Sequence, residues 1–336
     1  MLTESLSRVP IAHLPTPLEP MPRLSERLHG PEIWIKRDDQ TGLAGGGNKT
    51  RKLEYLLAAA QAEGADTLIT GGAPQSNHCR QTAAAAARAG LRCVLVLSGS
   101  PAPVTGNILL DRLLGAEIVW TGAVPRNEMM QATFQRERAA GRRPYLIPYG
   151  GSNPIGASAY VAAVEELAAQ LQAQNLPPFN RIVFASSSGG THAGLALGVR
   201  ALDMPTQVFG ISIDKPELEL TDEIVARLAN ETASLLNLDF SFSASNLAAS
   251  ADYLGGGYGV MGEAEAEAIY LFARTEGILL DPVYTGRAAA GMIDLIRKGV
   301  FARGERILFW HTGGLPALFA PPYAGMLAER GRRAHR

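Results

Sequence analysis

Cysteine is scarce in this chain: Cys79 and Cys93 are the two in 336 residues. So few thiols leave no disulfide framework and fit a reducing compartment. Neither sign of charge dominates. Thirty-one Lys and Arg face 32 Asp and Glu, a formal net charge of −1, so the balance asks for neither nucleic acid nor an anionic membrane surface. No apolar run approaches the ~20 residues that span a bilayer. Met1 to Pro20, interrupted by Glu4 and prolines, has no apolar core of signal-peptide length. The expectation is a cytoplasmic protein without membrane or nucleic-acid partners. The six histidines include no pair at ligand spacing and Cys-x-x-Cys is missing, so no metal is expected. Also missing is the Gly-x-Ser-x-Gly elbow of a serine hydrolase. With 46% hydrophobic and 19% charged residues, the chain reads as globular and enzyme-sized, with one large or two ordinary domains.

What is present is alternation. Residues 1–31, with Pro10, Pro15, Pro17, Pro20 and Pro22, read as turns and extended pieces. From Ile33 onward, apolar strands are predicted at 33–36, 67–70, 93–97, 117–120, 145–148, 181–185, 207–213 and 306–310. Helices are predicted at 49–63, 76–89, 107–114, 127–140, 156–174, 191–201, 217–235, 262–276 and 285–298. This alternation predicts an α/β fold of mostly parallel sheet covered on both faces. The basic tail, Glu329 to Arg336, reads as a loose solvated end.

One stretch organises the rest: Gly45-Gly46-Gly47-Asn48-Lys49-Thr50-Arg51-Lys52. Its glycines allow positive φ and close backbone approach, and Asn48 reads as an N-cap. A lysine at the positive end of a helix dipole is biased toward its neutral form. Three readings compete: a phosphate loop with one residue too many for a Walker motif, a plain turn with solvated lysines, and a Schiff-base lysine for pyridoxal phosphate. In open parallel sheets, ligands bind beyond the C-terminal strand ends. The loops there are Gly71 to His78, Ser186 to His192 and His311 to Gly314. Each alone could be an ordinary strand-to-helix turn. Ser188-Gly189-Gly190-Thr191 is the best anion site, with small residues, hydroxyls and a helix N-terminus. Ser76 could equally be an N-cap, His78 and His192 read as supporting residues, and Cys79 reads as packing rather than nucleophile.

Six blocks then carry a resemblance. They are Gly46 to Glu54, Gln75 to His78, Ser188 to Gly194, Gly257 to Val260, Leu280 to Gly286 and His311 to Gly314. In order and spacing they resemble the pyridoxal-phosphate-dependent D-cysteine desulfhydrase and 1-aminocyclopropane-1-carboxylate (ACC) deaminase family. The resemblance runs from about Ile11 to Phe319. It implies PLP fold type II, tryptophan synthase β-like, with two open mostly parallel sheet domains. The expected division is 1–48 with 160–336 as the large cofactor domain and 49–159 as the small inserted one. It also implies a homodimer acting on a small amino acid.

By position, Lys49 resembles the lysine that carries the cofactor. Lys52 looks like the residue reaching the phosphate, with Ser188, Gly189, Gly190 and Thr191 as its loop. Asn77 matches the partner of the phenolic oxygen and Thr312 that of the pyridine nitrogen. Gln75, Ser76 and Asn77 match the substrate carboxylate site, and Ser76 also the hydroxyl under the substrate. Tyr258 and Tyr284 resemble the active-site tyrosines. The implied reaction is α,β-elimination of D-cysteine. Thr285 and Thr312 stand where ACC deaminases have glutamate and leucine, so little ACC deamination is expected. L-Cysteate sulfo-lyase remains an alternative, because neither threonine separates it. A non-catalytic binder is another alternative, from a different class. Three departures bear on the substrate: the short segment Ser98 to Asn107, Ser187 in place of a common glycine, and Met261 in place of a common proline.

Overall fold

A computed structural model describes residues 1–333. Among them, ten strands build two open sheets. The strands are β1 (Leu18–Pro20), β2 (Glu32–Lys36), β3 (Thr67–Gly72), β4 (Arg92–Leu97), β5 (Glu117–Trp120), β6 (Pro144–Leu146), β7 (Arg181–Ser186), β8 (Gln207–Ser212), β9 (Ala248–Ser250) and β10 (Arg306–Trp310). One sheet has the order β1-β2-β10-β7-β8-β9, the other β5-β4-β3-β6. Every pairing is parallel except β1 with β2. Central strands such as β3 and β4 are buried on both faces, which is why they read as unbroken apolar runs rather than alternating ones.

The helices are α1 (Pro22–Leu28), α2 (Lys49–Ala62), α3 (Asn77–Ala89), α4 (Gly106–Leu113), α5 (Arg126–Ala139), α6 (Pro154–Ala173), α7 (Gly190–Ala201), α8 (Arg227–Leu235), α9 (Glu263–Glu276), α10 (Thr285–Arg297) and α11 (Tyr323–Arg333). A π-helical stretch, Glu219–Ala226, leads into α8. No helix among the described residues is long and apolar enough to cross a membrane.

Two expectations need correction. The proline-rich start contains β1 and α1. Pro22 sits in the first turn of α1, where its fixed φ and missing N–H do no harm. The basic tail is helical through Arg333, as part of α11. Residues 334–336 of that tail lie outside the described residues. Helix α6 runs unbroken through 159/160.

Beneath the start of α2 lies a buried charge cluster. Arg51 donates to both oxygens of Asp38 at 2.9–3.0 Å and to both oxygens of Glu166 at 2.9 Å. Tyr160 and Trp310 also donate to Asp38, at 2.6 and 2.8 Å. Lys36 completes the set through Glu166. Burial alone would raise the Asp38 carboxyl, but the Arg51 guanidinium, then Lys36 and Trp310, hold it below the usual range. The cluster joins the end of β2 to α2, α6 and β10, and so fixes the helix that presents Lys49.

Candidate active site

The strand-end loops converge on one cleft. Lys49 is the first residue of α2 and lines it. Burial pushes its ammonium down to about 8, and no carboxylate contributes to that shift. The glycine run before it is sterically required. At Gly46, φ is +68° and a Cβ would sit 1.9 Å from the Asp39 carbonyl. Arg80 Nη2 holds the Gly46 carbonyl at 2.6 Å, and Gln81 Nε2 bonds it as well. Asn48 does not cap α2. It is already helical, and its Nδ2 reaches across to Thr191 Oγ1 at 3.1 Å.

The opposite wall is the start of α3. Ser76 Oγ accepts from the Cys79 N–H at 3.2 Å and also lines the cleft, so the cap and the site share one hydroxyl. Asn77 Oδ1 accepts from Asn107 Nδ2 at 2.9 Å and from Arg80 Nη1 at 3.3 Å. With Oδ1 occupied twice, the Asn77 NH2 is the end available to the cleft. Gln75 is not in the cleft wall. Its Oε1 accepts from the Asn107 N–H and its Nε2 donates to the Thr105 carbonyl, so its side chain holds the 98–107 segment.

Ser187, Ser188, Gly189 and Thr191 line the cleft where β7 meets α7. Gly190 lets Lys52 and Ser152 come close: a Cβ would lie 2.7 Å from both Lys52 Nζ and Ser152 Oγ and would displace them. Lys52 stands behind the loop. Its Nζ donates to the Gly150 carbonyl at 3.1 Å and to Ser152 Oγ at 3.2 Å. Ser152 Oγ also accepts from the Gly190 N–H at 3.2 Å and meets Ser188 Oγ at 2.8 Å. Ser152 and Tyr149, which also lines the cleft, were missed from sequence. The signal for both was the Gly150-Gly151-Ser152 run closing another apolar strand.

Thr312 and Tyr284 line the cleft. Tyr258 lies beyond its wall, 37% exposed, with its hydroxyl 2.7 Å from that of Tyr284. Thr285 does not front the cleft. Its Oγ1 donates to Asp281 Oδ1 at 2.7 Å and accepts from the Asp281 N–H at 2.8 Å. Of the two branch threonines, only Thr312 lines the cleft. His192, which also lines the cleft, is edge-on to Phe184, and burial pushes it down to about 3. Burial drives His78 well below its usual value, with Lys49 and Lys52 adding to the shift. The Cys79 thiol is pushed up to about 12, chiefly by burial, so it is a packing group and no nucleophile at neutral pH. No cluster of metal ligands exists among the described residues.

These residues fit a phosphate monoester joined to an aromatic aldehyde. Lys52 is fully buried, yet its hydrogen bonds go to neutral oxygens only. Burial, then Lys49, lowers its pKa well below the ordinary lysine value. A buried ammonium in this state lacks a counter-ion. The Ser187 hydroxyl, also buried in the cleft wall, has no partner. An anion held by the loop would satisfy both, with the N-terminus of α7 adding its dipole.

Comparison with known proteins agrees. Residues 9–313 match the model of the family described as pyridoxal-phosphate dependent enzyme. The chain is 46% identical over 330 residues to a D-cysteine desulfhydrase of Klebsiella pneumoniae (strain 342), covering 95% of this chain and 98% of the relative. It is equally identical over 320 residues to one from Salmonella newport (strain SL254), covering 93% and 95%. A crystallised ACC deaminase homologue superposes with a TM-score of 0.88 at 40% identity, over 98% of this chain and 97% of that one. Threonine deaminase isoform 2 of Solanum lycopersicum, at 18% identity, shares the fold alone, with a TM-score of 0.66 over 94% of this chain and 82% of that one. The two mostly parallel sheets are thus those of PLP fold type II, and the chain belongs to the pyridoxal-phosphate-dependent enzymes.

Proposed function

We propose that the chain is a D-cysteine desulfhydrase, eliminating D-cysteine to pyruvate, hydrogen sulfide and ammonia. The observation that carries this reading is the 46% identity to a D-cysteine desulfhydrase across 95% of the chain. The cleft supports it. Bound there, pyridoxal phosphate supplies an electron sink for a bond breaking at the substrate α-carbon. Lys52, Ser188, Gly189, Gly190 and Thr191 would hold its phosphate, Asn77 its phenolic oxygen and Thr312 its pyridine nitrogen. Thr285 would serve that end of the ring only indirectly, by bracing the Asp281 turn.

The chain's own groups then do the proton work. Lys49 would hold the cofactor's aldehyde end, and its amine would be the group placed to take the α-proton. A lysine pushed down to about 8 has a far larger neutral fraction near neutral pH than an ordinary lysine, as a general base needs. The substrate carboxylate would lie at Ser76 and Asn77, where the N-terminus of α3 favours an anion and the Ser76 hydroxyl donates, with Gln75 only bracing the neighbouring segment. The Tyr258 and Tyr284 hydroxyls are 2.7 Å apart. Two phenols carry two protons, and one is engaged between them. The other is free for the leaving sulfur.

The test is product analysis with the loaded protein on D-cysteine, L-cysteine, L-cysteate and ACC, beside Lys49→Ala. Sulfide and pyruvate from D-cysteine alone is the expected result. Sulfite from L-cysteate or 2-oxobutyrate from ACC would move the substrate. Equal inertness of wild type and mutant would leave a binder.

In the same reading the six-stranded sheet, with residues 1–48 and those from Pro154 onward, is the cofactor domain, and the four-stranded sheet is the small one. Two copies pair through an exposed apolar face: Leu109 and Leu113, one turn apart on α4, and Phe319 on the adjoining turn, which are 44%, 73% and 63% exposed.

A further inference from the structure

Arg80 is fully buried in the first turns of α3, and no carboxylate lies within ion-pair distance of it among the described residues. Its guanidinium forks instead onto neutral oxygens. Nη2 donates to the Gly46 carbonyl at 2.6 Å, and Nη1 donates to Asn107 Oδ1 at 3.0 Å and Asn77 Oδ1 at 3.3 Å. Nε has no partner. Asn107 closes the triangle through its Nδ2, 2.9 Å from the same Asn77 oxygen. A buried guanidinium without a carboxylate is an expensive arrangement to keep for packing alone. Of its acceptors, Asn77 lines the cleft.

We propose that Arg80 is a positioning residue for the cofactor: with Asn107 it turns the Asn77 NH2 into the cleft and strengthens that N–H toward an anionic ring oxygen, while tying α3 to the glycine loop that carries Lys49. The two donors on Oδ1 decide the amide's orientation, since only its nitrogen end is left for the cleft. They also polarise it, because a hydrogen bond whose partner is charged strengthens the next one along. The bond to Gly46 matters separately. It spans the two walls of the cleft, beside the Gln81 bond to the same carbonyl, so Arg80 helps to hold the distance between Asn77 and Lys49. Other charged groups act on this array. Asp111 on α4, whose two oxygens have no partner, and Asp281 before α10 act on Arg80. Lys52 on α2 and His78 on α3 act beside Lys49.

The inference rests on the reading that Asn77 meets the cofactor's phenolic oxygen. Both can be tested on the loaded protein by visible absorption against pH. The band reports the pH at which the Lys49 nitrogen, joined to the cofactor, releases its proton. A donor on the ring oxygen, and positive charge behind it, favour release at lower pH. Asn77→Ala should therefore raise the midpoint by roughly one pH unit, the scale of one charge-assisted hydrogen bond. Arg80→Met should raise it in the same direction, and should add little in the Asn77→Ala background. Arg80→Lys, which keeps the charge but not the fork, should fall between. If Asn77→Ala leaves the midpoint unmoved, the placement of the ring oxygen is wrong. If Asn77→Ala moves it and Arg80→Met does not, the role of Arg80 is overturned. Should Arg80→Met not fold, Asn107→Ala removes one of the two donors on Oδ1 and must raise the midpoint in part; an unchanged midpoint there also overturns the proposal.

Discussion

Replacing Lys52 by methionine should weaken cofactor binding without weakening the cofactor-free protein. Lys52 is fully buried, and its Nζ contacts only the Gly150 carbonyl and Ser152 Oγ. In the cofactor-free protein its ammonium is desolvated without a counter-ion, which is unfavourable. Methionine has similar length, no charge and a side chain that adapts to irregular space. The cofactor-free Lys52→Met protein should therefore unfold at the same denaturant concentration as wild type, or a higher one. In the loaded protein the buried pair with phosphate is lost, a loss of about 3 kcal/mol or more, which is roughly a 150-fold rise in Kd. At a cofactor concentration of about 100 times the wild-type Kd, wild type gains about 2.7 kcal/mol of stability from binding. The variant should gain only a few tenths of a kcal/mol at that concentration. Two titrations read this out: cofactor binding by visible absorption, and denaturant unfolding with and without cofactor. Inorganic phosphate alone should protect wild type and not the variant. If Lys52→Met lost equal stability with and without cofactor and kept the wild-type Kd, Lys52 would be a structural residue and the phosphate assignment would fail.

Other consequences are measurable. In the cofactor-free fold Lys49 releases its proton near 8, against 10.5 for an unperturbed lysine. The unfolded chain then binds more protons between those values, so stability should rise from pH 8 toward pH 10. Denaturation midpoints of Lys49→Met should show a shallower rise, the remainder coming from Lys52, whose pKa burial also lowers; an identical slope would refute the assignment. Asp38→Asn leaves Arg51 and Lys36 sharing Glu166 alone, and should destabilise by about 3 kcal/mol or more in chemical unfolding; a change under 1 kcal/mol would show that the cluster tolerates the loss. Leu113→Glu with Phe319→Glu should convert a dimer to a monomer in light scattering, and an unchanged mass would place the contact elsewhere.

What could be read in the sequence was whatever a single segment decides. The inner strands were legible because burial on two faces leaves no polar alternation to blur them, whereas the three-residue edge strands β1 and β9, too short and too partly exposed to show a run, were not. The strand-end loops were legible because small residues before a helix have few other uses. What escaped were decisions made between segments. Asn48 looks like a helix cap in isolation, yet its side chain crosses to Thr191, 143 residues on. Gln75 sits in a block that resembles a substrate site, but its side chain is engaged by Asn107 and Thr105. Thr285 looked diagnostic beside Tyr284, yet its hydroxyl closes a turn on Asp281 four residues earlier. That turn matters to the cleft all the same. Asp281 Oδ2 accepts from the N–H groups of Val283 and Tyr284, both at 2.9 Å. The carboxylate thus fixes the backbone from which Tyr284 reaches Tyr258. A threonine at 285 adds a hydroxyl to that hold, whereas a glutamate there would set a second carboxylate beside Asp281. The residue that seems to choose a ring partner thereby also sets how firmly Tyr284, and its contact with Tyr258, is anchored.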